Sequence, residues 1–142
     1  MSKKNLHILV VDDNMDSAMT LVWLLETMGY DDCSVAHDGP QALAMAKELE
    51  PDVILLDLGL PGMNGYEVCR ELRRNPKFAD TLLIAQTGWG EDHNREMAYF
   101  AGFNHHFVKP LKAEDLSDLL AKVPRRKAGA PKKDKTARPD KD

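Results

Sequence analysis

Val53-Ile54-Leu55-Leu56-Asp57-Leu58-Gly59-Leu60-Pro61-Gly62-Met63-Asn64-Gly65 is the stretch on which the reading of this chain turns. Four consecutive apolar residues, Val53–Leu56, read as a strand buried on both faces, the habit of parallel sheets covered by helices on each side. An aspartate and a run rich in Gly, Pro and Asn follow at once, so the strand ends in a turn. Upstream, Leu6–Val11 is a second near-continuous apolar strand. Met15, Ala18, Met19, Val22 and Leu25 then recur at helical spacing up to Gly29. Cys33–Ala36 is a weaker strand. Asp38-Gly39-Pro40 makes a turn with proline in the first helical turn, and Ala42, Met45, Ala46 and Leu49 form a helical stripe stopped by Pro51. Downstream, Val68, Cys69 and Leu72 lie on a helix broken at Asn75-Pro76. Leu82–Ala85 is a fourth strand, Glu91–Ala101 a helix closed by Gly102, and His106–Val108 a fifth strand. Leu116, Leu119, Leu120 and Val123 share one face of a last helix. Five strands alternating with five helices predict an α/β fold, a doubly wound parallel sheet with helices on both faces.

Composition narrows the function classes. The chain has 142 residues, 43% apolar and 30% charged, the range of a globular protein of one domain plus a tail. No apolar run is long enough to span a bilayer. The amino terminus runs straight into a strand and leaves no room for a signal peptide, so a cytoplasmic protein with no membrane contact is expected. Cys33 and Cys69 have no metal-like spacing and read as reduced, buried thiols. From Pro124 onward, eight Lys or Arg against three Asp give a charge of +5, and the other 123 residues, with 11 basic and 20 acidic, carry −9. An acidic body argues against direct nucleic-acid binding. Residues 1–123 therefore read as the folded domain and 124–142 as a disordered basic tail.

In an open parallel sheet, ligands sit beyond the carboxyl ends of the strands. Asp12-Asp13 follows the first strand, Asp57 the third, Thr87 the fourth and Lys109 the fifth, so the topology gathers them at one edge. Three crowded carboxylates raise at least one pKa unless a cation intervenes. A hard divalent cation suits such oxygen ligands, and a lysine and a hydroxyl suit phosphoryl oxygens. Each residue also has a plainer reading. Asp13 or Asn14 caps the first helix, Asp57 begins a loop, Thr87 makes a local turn bond, and Lys109 is a solvated charge. Taken together the plainer readings leave unexplained why four strands of five end in the parts of one phosphate-and-metal site.

The segments Ile8-Leu9-Val10-Val11-Asp12-Asp13-Asn14, Leu55 to Val68, Ala85-Gln86-Thr87-Gly88 and Val108-Lys109-Pro110 resemble the signatures of response-regulator receiver domains of two-component signalling, over roughly residues 6–123. The resemblance implies a flavodoxin-like (βα)5 fold with strand order 2-1-3-4-5. It implies Asp57 as phosphoacceptor, with Asp13 and Asp57 as direct ligands of Mg²⁺ (or Mn²⁺), the backbone carbonyl of Gly59 as a third ligand and Asp12 acting largely through water. Thr87 and Lys109 would each bond a phosphoryl oxygen, and the Lys109–Pro110 peptide bond would be cis. The implied donor is a sensor or hybrid histidine kinase or a histidine phosphotransfer protein. Output would pass to a protein in trans or by onward phosphotransfer, relaying or sinking phosphate, the chain being a monomer or a weak dimer through the helix 4–strand 5–helix 5 face. Such a chain is a phosphoacceptor, not a turnover enzyme.

Some positions depart from the family pattern. The switch aromatic of the fifth strand is His106 here, and Thr87 with His106 would form the switch pair. Gly59 and Trp89 occupy positions that tune loss of the phosphoryl group, and Gly88 leaves room beside it. Trp23 and Met28 lie on the helix that helps dock the kinase, where exposure of Trp23 would mark a partner contact. The rival readings are a phosphorylation-independent interaction module and a small metal-dependent phosphatase.

Overall fold

The computed structural model describes residues 6–88 and 95–123. Its centre is β3 (Val53–Asp57), whose five residues are all buried. It pairs in parallel with β1 (Ile8–Val11) on one side and β4 (Leu82–Thr87) on the other. β2 (Cys33–Ala36) and β5 (His105–Val108) form the edges, giving the order β2-β1-β3-β4-β5. Chain order reverses between β1 and β3. The expected fold class, flavodoxin-like α/β with strand order 2-1-3-4-5, is the observed one.

Alternate residues of the buried strands feed two cores. Leu9, Val11, Ile54, Leu56, Leu83 and Ala85 pack with α2 (Gly39–Leu49), α3 (Gly65–Arg73) and α4 (Arg95–Ala101). Ile8, Val10, Val53, Leu55 and Ile84 pack with α1 (Met15–Thr27) and α5 (Ala113–Ala121). This two-sided burial is why the strands carry no polar alternation.

Three helix starts carry side-chain caps. Asn14 accepts from the Ser17 amide and caps α1, and Asp38 accepts from Gln41 to cap α2. Asn64 and Glu67 make a reciprocal capping box on α3. A 3₁₀ turn, Pro76–Phe78, links α3 to β4.

The structure departs from the sequence reading in several places. β1 begins at Ile8 rather than Leu6, because the His7 amide is taken by the Asp52 carboxylate at 2.8 Å. β3 and β4 run on to Asp57 and Thr87, because the ladder pairs backbone regardless of side chain: Asp57 lies opposite Gln86, and Thr87 opposite Val108. The α1 stripe divides. Ala18, Val22 and Leu25 are buried, whereas Met15 and Met19 are 58% and 55% exposed. Cys33 is only half-buried; both thiols are free, and burial pushes each up to about 12, Cys33 with help from Glu26, Asp32 and Asp31. The helix expected from Glu91 is described from Arg95, and Trp89 and the tail 124–142 lie outside the described residues.

Gly65 opens α3 directly beneath the end of β3. A Cβ there would stand 2.6 Å from the Asp57 carbonyl oxygen and 2.7 Å from Leu58 Cα. Gly65→Ala should therefore cost about 1–3 kcal/mol by overpacking, measured as a lowered urea midpoint with an unchanged m-value; an unchanged midpoint would refute the close fit.

Candidate functional site

Four strand ends deliver the site. Asp12 lies one residue beyond β1 and is 2% exposed, and Asp57 is the buried last residue of β3. Asp13, next to Asp12, is exposed. One carboxylate oxygen from each of Asp12, Asp13 and Asp57 lies within 4.8 Å of the others. Lys109, just past β5, reaches back between them, its Nζ donating to Asp12 Oδ2 at 2.8 Å and Asp57 Oδ2 at 3.1 Å. Thr87 closes β4, is 2% exposed, and accepts the Lys109 amide on its carbonyl at 2.7 Å. The Lys109–Pro110 peptide bond is cis.

Local hydrogen bonds hold the acids. The Asn14 amide donates to Asp12 Oδ1 at 3.0 Å, and the Gly59 amide to Asp57 Oδ1 at 2.9 Å. Of the two capping candidates, Asn14 caps α1, which leaves Asp13 free of that task.

Burial pushes the Asp57 carboxyl above its ordinary range, assisted by the nearby Asp12 charge and opposed by the Gly59 amide and Lys109. For Lys109, burial pulls the ammonium down, yet its bonds and charge contacts with Asp12 and Asp57 outweigh this and raise it. The lysine is thus held charged by a pocket with carboxylates to spare. One ammonium among three carboxylates leaves an excess of negative charge, and an all-oxygen donor set of this spacing fits a hard cation such as Mg²⁺ or Mn²⁺.

His106 lies in β5 opposite Ala85, on the sheet face that Thr87 shares by alternation. It is half-buried and lines a groove of about 770 Å³ with Tyr99, Phe100 and Phe103 of the α4–β5 region and Asp115 of α5. Met97, Tyr99 and Phe100 of α4 and Val108 of β5 are exposed. Trp23 is 67% exposed on α1 and continues the exposed Met15–Met19 line, while Met28 is the half-buried α1 C-cap.

Sequence reasoning missed Gln86, which is 2% exposed with no partner for Nε2 among the described residues. It lines a cleft of about 530 Å³ between α1 and Lys109-Pro110-Leu111. Its position before Thr87 at a strand end was the available signal.

Comparison with known proteins agrees with this geometry. The response regulator receiver domain family matches residues 8–121, and the chain belongs to that family. It is 40% identical over 110 residues to the DNA-binding response regulator MtrA of Mycobacterium tuberculosis, covering 78% of this chain and 46% of that regulator. The chain spans about half the length of the curated relatives it matches. Among solved structures, a response regulator from Chloroflexus aurantiacus is 28% identical with a TM-score of 0.77, over 84% of this chain and 98% of that one. The receiver domain of the sensor histidine kinase PA1611 from Pseudomonas aeruginosa, which has a magnesium ion coordinated in its active-site cleft, is 31% identical with a TM-score of 0.75, over 84% and 97%. No helix among the described residues is long and apolar enough to cross a membrane.

The raised Asp57 carboxyl sets the sign of a stability effect. A carboxyl whose folded pKa lies above its unfolded value favours folding at low pH, and that contribution is lost as pH rises through the folded pKa. Asp57→Asn should therefore raise the melting temperature of the metal-free protein by a few degrees at neutral pH. The gain should shrink as pH falls into the carboxylate range; a variant less stable than wild type at neutral pH would contradict it.

Proposed function

We propose that this receiver domain is a phosphorylation switch in which Asp57 accepts a phosphoryl group from a phosphohistidine of a sensor or hybrid histidine kinase or a phosphotransfer protein. The observation that carries the proposal is the convergence of Asp12, Asp13 and Asp57 within 4.8 Å, with Lys109 Nζ spanning Asp12 and Asp57. An Asp57 carboxylate oxygen attacks phosphorus in line; the new O–P bond forms as the P–N bond to the donor histidine breaks, and the imidazole leaves. Asp57 stands at a strand end, held by the Gly59 amide, so its approach is fixed before the donor arrives. Lys109 exchanges its contact with Asp57 Oδ2 for a phosphoryl oxygen, keeping a paired charge, and the buried Thr87 hydroxyl donates to another.

Asp13 and Asp57, with the Gly59 carbonyl and with Asp12 through water, would hold Mg²⁺ or Mn²⁺. Bound there, the ion neutralises charge on the phosphoryl oxygens. The chain is a phosphoacceptor rather than a turnover enzyme, its receiver unit running through residue 123, and it works in the cytoplasm. The exposed Met15–Met19–Trp23 line, which begins two residues after Asp13, supports donor docking on α1. The exposed α4–β5–α5 face supports output to a protein, with Thr87 and His106, on one sheet face, as the switch pair.

Intact-mass spectrometry after incubation with acetyl phosphate should show one Mg²⁺-dependent phosphoryl adduct, absent from Asp57→Asn. Lys109→Met should slow labelling by about a hundredfold. No adduct under conditions that label other receivers would turn the reading to a phosphorylation-independent interaction module. Trp23→Ala should slow transfer from a phosphohistidine protein about tenfold while leaving labelling by acetyl phosphate unchanged; equal slowing with both donors would remove Trp23 from the docking surface.

A further inference from the structure

Gln86, one residue before Thr87 in β4, is a polar residue in apolar surroundings. The sheet register places it opposite Phe107 and Asp57. Ile84, two residues earlier, packs on the α1–α5 side of the sheet, as does Phe107, so Gln86 faces that side by alternation. It is 2% exposed, and its Nε2 is buried with no hydrogen-bond partner among the described residues. Most buried polar groups in folded proteins are hydrogen-bonded, and a buried amide N–H without an acceptor is costly. An apolar side chain of similar size would fill the position without that cost, so stability alone does not account for a glutamine here.

The cleft that Gln86 lines, about 530 Å³ between α1 and the Lys109-Pro110-Leu111 turn, is of the size that holds small molecules. Such pockets are mainly apolar with a few placed polar groups. Here Leu21 and Leu24 of α1, with Pro110 and Leu111, supply apolar wall. Two other donors of the lining are already engaged. Thr20 Oγ1 donates to the Asp16 carbonyl at 2.8 Å, and Lys109 Nζ donates to Asp12 at 2.8 Å and Asp57 at 3.1 Å. Gln86 Nε2 is left to select what enters, and a donor selects an acceptor. Asp16 lines the same cleft, and Asp12 and Asp57 stand behind Lys109, so the local charge disfavours a carboxylate or a phosphate. The acceptor that fits is a neutral carbonyl on a compact apolar body.

We propose that this cleft binds a small neutral carbonyl compound, a ketone or an amide with an apolar body, held by the Gln86 side-chain N–H and packed against the leucines of α1 and the Pro110-Leu111 turn. The site is separate from the phosphoryl-accepting edge but shares Lys109 with it. A molecule packed against Lys109 favours the arrangement in which Nζ stays on Asp57 Oδ2, and so opposes its transfer to a phosphoryl oxygen. Occupancy therefore slows phosphorylation. That effect rests on the switch reading proposed above; the binding does not.

The test is an NMR titration of the full chain with acetophenone, a neutral aryl ketone. Ethylbenzene, of similar shape without the oxygen, and benzoate, which carries a charge, serve as the comparison probes. Acetophenone should shift the Gln86 side-chain N–H signals and the backbone amides of Leu21, Leu24 and Leu111. It should bind about tenfold more tightly than either comparison probe. Gln86→Leu should bind ethylbenzene as well as wild type does and lose the tenfold preference; the three probes on wild type carry the test if that variant does not fold. Saturating acetophenone should slow acetyl phosphate labelling of wild type about fivefold. Acetophenone that leaves these signals unmoved, or binds no better than ethylbenzene, overturns the site. Signals moved only by a phosphohistidine protein assign the cleft to the donor interface and overturn it equally. Binding with unslowed labelling overturns the link to Lys109. A wild type that takes no phosphoryl group in the absence of any probe overturns the switch reading, and the titration then decides the site alone.

Discussion

Three carboxylates and one ammonium at the carboxyl edge of a buried sheet set the terms for everything around them. Asp12 is 2% exposed and Asp57 7%, so both acids are largely withdrawn from water, and burial lifts the Asp57 carboxyl above its ordinary range. Lys109 relieves part of it by spanning Asp12 and Asp57. The bond from its amide to the Thr87 carbonyl ties the start of the β5–α5 turn to the end of β4. The acids cannot relax apart, because each is placed by a strand whose neighbours are paired on both sides. Holding charge this rigidly away from water costs stability, a common cost of function.

The same constraint explains which parts of the fold were legible in sequence. β1 and β3 were plain because burial on both faces leaves only apolar residues to read. The site was plain for a related reason. A polar residue at the end of an apolar run stands out, and parallel topology makes such ends converge without knowledge of any contact. Of the residues assigned from the family resemblance, Asp12, Asp13 and Asp57 bring carboxylate oxygens within 4.8 Å of one another, and Lys109 bonds to Asp12 and Asp57.

What could not be read is equally physical. Helical spacing reports that Met15, Ala18, Met19, Val22 and Leu25 lie near one another, not which of them faces water, and the arc proved wider than the core it covers. The apolar-run criterion stopped β4 at Ala85, although the backbone ladder carries on through Gln86 and Thr87. Nothing in the sequence signals that the Arg73 guanidinium bonds the carbonyls of Gly102, Phe78 and Thr81. Its partners are mainly backbone carbonyls, which every residue has, so no pattern of residue types announces the contact.

The exposed apolar surface of α4 sits on a helix whose carboxyl end is closely held. That end meets a guanidinium fork, a cysteine thiol and a glycine fitted against an arginine stem. Met97, Tyr99 and Phe100 are too exposed to contribute much to the core and too apolar to be explained by solvation alone. Under the switch reading proposed above, a partner that tells two states apart at this surface can draw the energy for that distinction only from the charge balance at Asp57.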